Sequence, residues 1–432
     1  MSRSPSDAKP AAPADVHVAV TPPPPGWRDR ARSLLENGSI ELDEAVDAAH
    51  QRVSRRLGWG RAQHIAAFRS LCDATGCTLQ GRVLASAPVG GPKETDDWWD
   101  NLLSTYRRLE SDEVPGVTLK CEFLGRTVEV VTDHEGYYNA RIDVAPREWP
   151  DLWADAMVAM TDGTLATLQP VLTVPASARI GVISDIDDTI LESSILHWRT
   201  AAQPTFLHNA RTRKPLAGVA ALYHALQRGA VGDQQNPVFY VSSSPWNLVD
   251  LLEDFLDLNA IPPGPLLLQD LGLDEGKFIS PRGHRHKLER TLELIATYPQ
   301  LKFILCGDTG QADPQLYAEA VLKHPDRIAA VYIRDVDPDL DSSFDTLADE
   351  RLAAAKATGV PMLRVRDSLA IAEHARGLGL IAEEDIDRVD REVERDRARP
   401  SQTEAAVAGA IEGDTGHVGK SSETPAQRRP AS

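Results

Sequence analysis

The segment Gly181-Val-Ile-Ser-Asp-Ile-Asp-Asp-Thr189 sets three acids within four residues, directly after an apolar run. Asp185, Asp187 and Asp188 repel one another, and a fold tolerates that crowding mainly where a cation or a phosphoryl group sits. Asp185, at the C-terminal end of a strand, is placed to attack an electrophile. Asp187, two residues on, is placed to handle the proton of a leaving group, and its acidic neighbours favour the protonated form it needs. Asp188 reads as a turn or capping residue, and Thr189 as fixing the turn through its hydroxyl. The competing reading of these nine residues is an acidic surface turn after a strand.

Three later segments bear on that choice. Pro237-Val-Phe-Tyr-Val-Ser-Ser-Ser-Pro-Trp246 is a strand running into a hydroxyl cluster. Ser242 follows the apolar run directly, where a hydroxyl can bind a phosphoryl oxygen. Ser244 suits a helix cap, with Pro245 at the first helical position. Lys287 heads the helical pattern His286-Lys-Leu-Glu-Arg-Thr-Leu-Glu-Leu-Ile295 and would neutralise charge at Asp185; by itself it also fits a solvated helix face. Leu301-Lys-Phe-Ile-Leu-Cys-Gly-Asp-Thr-Gly-Gln-Ala-Asp313 again ends an apolar strand in acid, at Asp308, with Asp313 a short loop later. Two strand-end carboxylates from separate parts of a chain make a reasonable Mg²⁺ site, because Mg²⁺ takes one or two carboxylates with waters and phosphate oxygens.

The order of these segments resembles the haloacid-dehalogenase-type phosphatases, with their hhhDxDxT strand end. Within that superfamily, residues from about 178 to 380 resemble the catalytic domain of the actin-patch-protein type of phosphatidate phosphatase, a lipin-related group. Ser184-Asp-Ile-Asp-Asp-Thr-Ile190, Tyr240-Val-Ser-Ser-Ser-Pro-Trp246 and Gly307-Asp-Thr-Gly-Gln-Ala-Asp313 carry the resemblance, the second being the most discriminating. It implies that Asp185 is the nucleophile forming an aspartyl-phosphate and Asp187 the general acid, then base. Asp185, the backbone carbonyl of Asp187, and Asp308 would hold Mg²⁺. Ser242 and Lys287 would bind the phosphoryl group, while Thr189 and Asp313 support the site. The implied reaction is hydrolysis of a phosphomonoester, with phosphatidate yielding diacylglycerol and phosphate. A soluble phosphate ester is the alternative substrate. A phospholipid-binding module without catalysis is the alternative from another class, and the presence of Asp185, Asp187, Lys287 and Asp308 weighs against it.

The elements that would position these residues alternate strand and helix from Ile180 to Ile333. That rhythm predicts an α/β domain over 178–384, a haloacid-dehalogenase-like parallel sheet with helices on both faces and its site at the strands' C-terminal ends. The connection Leu191–Gly218, with Leu196, Trp198, Phe206 and Leu207 among basic residues, reads as a flap over the site, with a plain packed loop as the competing reading. Residues 1–26, rich in Pro, Ala and Ser, read as disordered. Residues 27–75 read as a helical segment. Alternating strand patterns from Thr78 onward, and the turn in Thr132-Asp-His-Glu-Gly-Tyr-Tyr138, predict a small transthyretin-like β-sandwich over 78–175. Within it, Pro88–Pro115 carries Trp98 and Trp99, expected on a short helix packed against the sandwich. Residues 385–432 read as a charged, mostly disordered tail, opening at best on a charge-alternating helix over Asp385–Arg395.

The chain has 432 residues, 46 Lys and Arg against 64 Asp and Glu, and a formal net charge of −18. That balance argues against nucleic-acid binding and against general attraction to anionic membranes, so contact with lipid would be peripheral and local. The four cysteines are too few for a disulfide scaffold and read as structural thiols. The N-terminus has no apolar signal core and no stretch is long enough to span a bilayer, so a cytoplasmic protein is the expectation.

Overall fold

A computed structural model describes residues 20–21, 63–85, 114–186, 189–190, 216–269, 282–309, 312–335, 349–350, 352–353 and 355–398. Its strands are β1 Val20–Thr21, β2 Gln63–Ala67, β3 Ser70–Cys72, β4 Gly76–Ala85, β5 Thr118–Phe123, β6 Arg126–Val131, β7 Tyr137–Asp143, β8 Trp153–Met160, β9 Ala166–Leu172, β10 Ile180–Ser184, β11 Val238–Pro245, β12 Leu266–Gln269, β13 Lys302–Asp308, β14 Ile328–Arg334 and β15 Met362–Val365. The longer helices among the described residues are α1 Val219–Arg228, α2 Val249–Leu258, α3 Arg282–Thr297, α4 Asp313–Lys323, α5 Ser368–Gly377 and α6 Glu384–Ala398.

The C-terminal strands form one six-stranded sheet in the order β12-β11-β10-β13-β14-β15, and every neighbouring pair is parallel. Parallel strands buried on both faces need near-continuous apolar runs, and β10 is buried along its whole length. Alternate residues serve opposite faces: Val182, Tyr240, Ile304 and Tyr332 join a core with α1, α2, α5 and α6. Ile183, Phe239, Leu305 and Ile333 join a second core with α3 and α4. The result is an α/β fold of three layers. From β10 the chain builds outward through β11 and β12, then returns to the other side of β10 to lay down β13, β14 and β15. The strand order therefore reverses between β10 and β13, and ligands of open α/β sheets bind in the crevice at such a switch point.

The earlier strands form a nine-stranded, largely antiparallel sheet. It folds over on itself, so Leu79 and Val83 of β4 and Ala140 and Ile142 of β7 share an interior with Leu119 and Cys121 of β5 and Val158 of β8. Strands β2 and β3 run along β4 as one strand broken by a bulge: Ala67 pairs with Gly81, whereas Leu71 pairs with Thr78. Asp133 builds the turn before β7, its Oδ1 accepting from the Glu135 and Tyr137 N–H groups at 2.9 Å each. The four cysteines are buried and free.

Two expectations are corrected. The helical segment expected over 27–75 does not hold for its last part, because Gln63–Ala67 and Ser70–Cys72 are strands. Their apolar residues fit either period, and pairing with β4 decides the matter. The charge-alternating head of the tail expected from 385 is not a loose extension but a docked helix, α6, whose Val389 and Val393 are buried. Arg228 of α1 and Asp385 of α6 form a buried ion pair there. The spans 1–19, 22–62 and 399–432, the Trp98/Trp99 segment and the flap region 191–215 lie outside the described residues.

Candidate active site

β10 delivers Asp185 to the end of the sheet. Ser184 is level with Tyr240 of β11 and with Cys306 of β13. Asp185 therefore stands just past the end of β10, with Ser242 of β11 and Asp308 of β13 one step further along the two neighbours. The backbone fixes it there: its N–H donates to Cys306 O at 2.9 Å, and Ser184 Oγ donates to its carbonyl at 2.6 Å. Tyr317, on α4, donates its hydroxyl to the same Cys306 carbonyl at 3.0 Å, tying helix and strand together beneath the site.

Asp185, Asp308 and Asp313 are wholly buried. Each offers a carboxylate oxygen within 4.8 Å of the others. Asp313 opens α4, with Pro314 following in the first turn, and its negative charge suits the helix N-terminus. It bends back to β13, where Oδ2 accepts from the Asp308 N–H at 3.3 Å. Gly307 permits this: a Cβ built there would lie 2.5 Å from Asp313 Oδ2 and 2.8 Å from the Tyr317 ring. Glycine is needed at this position for close approach, and the Gly-Asp pairing seen in the sequence has that physical cause.

Lys287 points from α3 into the same place. Its Nζ lies 2.9 Å from Asp185 Oδ2 and 3.0 Å from Asp313 Oδ1. Burial alone would favour the neutral amine, but the charges of Asp185, Asp313 and Asp308 outweigh it and hold the ammonium charged well above the ordinary lysine range. The solvated-helix reading of this residue is thus excluded. Thr291 Oγ1 donates to the Lys287 carbonyl at 2.8 Å, one turn further along α3.

Ser242 is buried at the edge of this group, and its Oγ accepts from the Ser244 N–H at 3.0 Å. Ser244 does not cap a helix as expected. β11 runs on to Pro245, which is level with Gln269 of β12, and a 3-10 turn at Trp246–Leu248 precedes α2. The helix begins behind Leu248 without a side-chain cap. Thr189 also departs from expectation. Its turn is closed by the backbone, Ile190 N–H to Ile186 O at 3.0 Å, while its buried hydroxyl makes no hydrogen bond among the described residues. Asp187 and Asp188 lie outside the described residues. Tyr223, whose hydroxyl meets Ser184 Oγ at 2.7 Å, and Tyr317 are residues that the sequence does not mark; each is an ordinary helical apolar position until the packing shows where its hydroxyl goes.

The donor set decides what the cluster can hold. Three buried carboxylates face the Lys287 ammonium, and the donors are oxygens of hard character, so the residues fit a hard divalent cation. An α/β protein with a metal-competent acidic site at its switch point is the class that fold and geometry define. Residues 180–335 match the family model described as "Phosphatidate phosphatase APP1, catalytic domain". The resemblance carried by the three motifs is thereby shown for this segment.

The sequence is 33% identical over 156 residues to phosphatidate phosphatase APP1 of Saccharomyces cerevisiae, covering 36% of this chain and 26% of that protein. It is 29% identical over 158 residues to an uncharacterised protein of Schizosaccharomyces pombe, covering 36% and 25%. The chain thus spans about a quarter of the length of these curated relatives. A carbohydrate acetylesterase from Xanthomonas citri aligns over 77% of this chain and 74% of its own with 10% identity and a TM-score of 0.27, a level that carries no argument.

Proposed function

We propose that this chain is a Mg²⁺-dependent phosphomonoester phosphatase of the haloacid-dehalogenase type, with phosphatidate as its substrate, reached by peripheral contact with a membrane surface from the cytoplasmic side. The observation that carries the reading is the placement of Lys287 between Asp185 and Asp313 at the sheet's switch point, beside Asp308. Phosphoryl transfer asks a protein mostly to position groups and to stabilise charge. Asp185 is held rigidly by its backbone bonds and attacks phosphorus, forming an aspartyl-phosphate as the P–O bond to the glycerol oxygen breaks. Asp187 gives that oxygen its proton, then takes one from the water that hydrolyses the acyl phosphate, so the cycle ends with phosphate, the lipid alcohol and both carboxyl groups restored. Lys287 moderates the repulsion between Asp185 and an incoming phosphate dianion, and Ser242 donates a hydrogen bond to a phosphoryl oxygen. Asp185, Asp308, Asp313 and the Asp187 carbonyl would hold Mg²⁺, which when bound supplies charge neutralisation at the transferring group.

The test is phosphate release from phosphatidate in mixed micelles by the purified chain, with Mg²⁺ or EDTA, beside the Asp185→Asn variant. Mg²⁺-dependent release that the variant lacks is expected. Release from a panel of soluble esters but not from phosphatidate would overturn the lipid assignment. Undiminished release by Asp185→Asn would overturn the mechanism.

A further inference from the structure

The β domain meets the α/β domain at the bulge between β2 and β3, and the two residues of that bulge reach opposite ends of one site-bearing segment. Phe68 is buried in the α/β core rather than in the sandwich interior, and its ring stacks on Trp246 with centroids 6.0 Å apart and planes 21° apart. Trp246 immediately follows Ser242-Ser-Ser-Pro245 and begins the turn into α2. Arg69 takes hold of α2 itself: its backbone N–H donates to Glu253 Oε1 at 2.9 Å, and its guanidinium pairs with Asp257.

The grip is rigid on the β-domain side. The Phe68 carbonyl accepts from Gln169 Nε2 at 2.9 Å, and the same amide nitrogen lies 2.7 Å from the Gln80 carbonyl. Tyr138 donates its hydroxyl to Gln169 Oε1 at 3.0 Å, so the amide is fixed from both ends within the buried interior. A fully bonded buried polar network of this kind specifies one geometry. A second tie runs from the same strand pair to the other phosphate-side element. Tyr298, directly after α3, donates its hydroxyl to the Cys72 carbonyl at 2.8 Å. The β domain thus touches the serine segment through Phe68, the helix that follows it through Arg69, and the residue after the Lys287 helix through Cys72.

We propose that Phe68 and Arg69 are positioning residues for the Ser242–Trp246 segment, and that the β domain is part of the active-site scaffold. The chemical meaning of this role rests on the phosphatase reading, in which Ser242 orients the phosphoryl group. A flat interdomain contact would stabilise the fold and nothing more; the stacking on Trp246 instead sets where a strand end stops and a helix begins, a short step along the backbone from Ser242.

The test compares full-length Phe68→Ala and Phe68→Tyr with Leu152→Ala. Leu152 is a buried residue of the β domain that meets the other core, on the far side of the sheet from Phe68. Hydrogen exchange of the peptide spanning 242–248 is read by mass spectrometry, together with kcat and KM on p-nitrophenyl phosphate. Phe68→Ala is expected to speed exchange in 242–248 about tenfold or more. It should lower kcat about tenfold or more, with a smaller change in KM, because a displaced transition-state contact costs turnover. Phe68→Tyr should restore both, and Leu152→Ala should leave both at wild-type values while lowering the thermal midpoint. If Phe68→Ala changes exchange and kcat no more than Leu152→Ala does, the proposal is overturned. If the wild-type chain turns over no phosphomonoester, the phosphatase reading fails, while the exchange arm still decides the positioning role. Should Phe68→Ala not fold, Phe68→Leu is measured in its place against the same outcomes.

Discussion

Replacing Lys287 by Met removes the ammonium from a buried cluster and leaves a side chain of similar volume. The contacts at 2.9 Å to Asp185 and 3.0 Å to Asp313 are lost. At an effective dielectric of about 20 each is a gross attraction of about 5 to 6 kcal/mol. Much of this is offset in the wild type by the desolvation of the ammonium itself. Breaking one side of a buried pair costs about 3–5 kcal/mol net, because the remaining charges stay buried without their partner. With a urea slope of about 3 kcal/mol/M, that loss moves the unfolding midpoint down by about 1 to 1.7 M. The assay is urea unfolding in EDTA and again in millimolar Mg²⁺. In EDTA the full loss is expected. In Mg²⁺ the gap between variant and wild type should narrow, since a cation bound by the carboxylates replaces the missing charge. A variant within about 1 kcal/mol of the wild type in EDTA would refute the claim that Lys287 compensates these carboxylates.

Two further outcomes follow from the same geometry. Gly307→Ala should impair the site while sparing the sheet, because its Cβ would stand 2.5 Å from Asp313 Oδ2. We expect a destabilisation of about 1–3 kcal/mol and a weaker Mg²⁺ dependence of stability, both measurable by thermal unfolding across a Mg²⁺ series; wild-type values for both would show that Asp313 need not sit where it does. His224 gives a pH signature remote from the chemistry. Burial, with Arg228 nearby, pushes its imidazole down to about 4 against the hydrogen bond to Ala260 O. The folded state therefore keeps it neutral where the unfolded state, near 6.5, takes up a proton. Its contribution is complete above about pH 6.5 and is lost as pH falls through about 4, a total of about 3 kcal/mol. Subtracting the urea midpoints of His224→Gln from the wild type between pH 7 and 4 should expose that slope, and parallel curves would count against it.

The strands of the α/β domain were legible because a parallel strand buried on both faces needs a short run of apolar residues that ends abruptly. Ile180–Ser184 ends in that way just before Asp185, and Lys302–Asp308 ends on its acid. The meeting of Asp185 and Asp308 at neighbouring strand ends was legible too, since acids at the ends of buried strands have few purely structural uses. The β2–β3 segment misled because a short apolar run carries no decisive period, and only pairing with β4 selects a strand. α6 misled for a related reason. Its alternating charges hide Val389 and Val393, which find a surface only when α1 and α5 are folded beside them.

By itself, then, the sequence determined which residues could carry the charge of the site, and that Asp185 and Asp308 lie at strand ends, because residue type and local periodicity are local properties of a chain. The tertiary structure decided three things that spacing does not encode. Lys287 turns inward because α3 packs on the sheet and brings it within 3 Å of Asp185 and Asp313, 102 residues before it and 26 after. Asp313 reaches Asp308 because Gly307 leaves room. Phe68 reaches Trp246 because the bulge between β2 and β3 leaves it in the α/β core, and contacts between residues 178 positions apart are set by how layers pack, not by the order of neighbours along the chain.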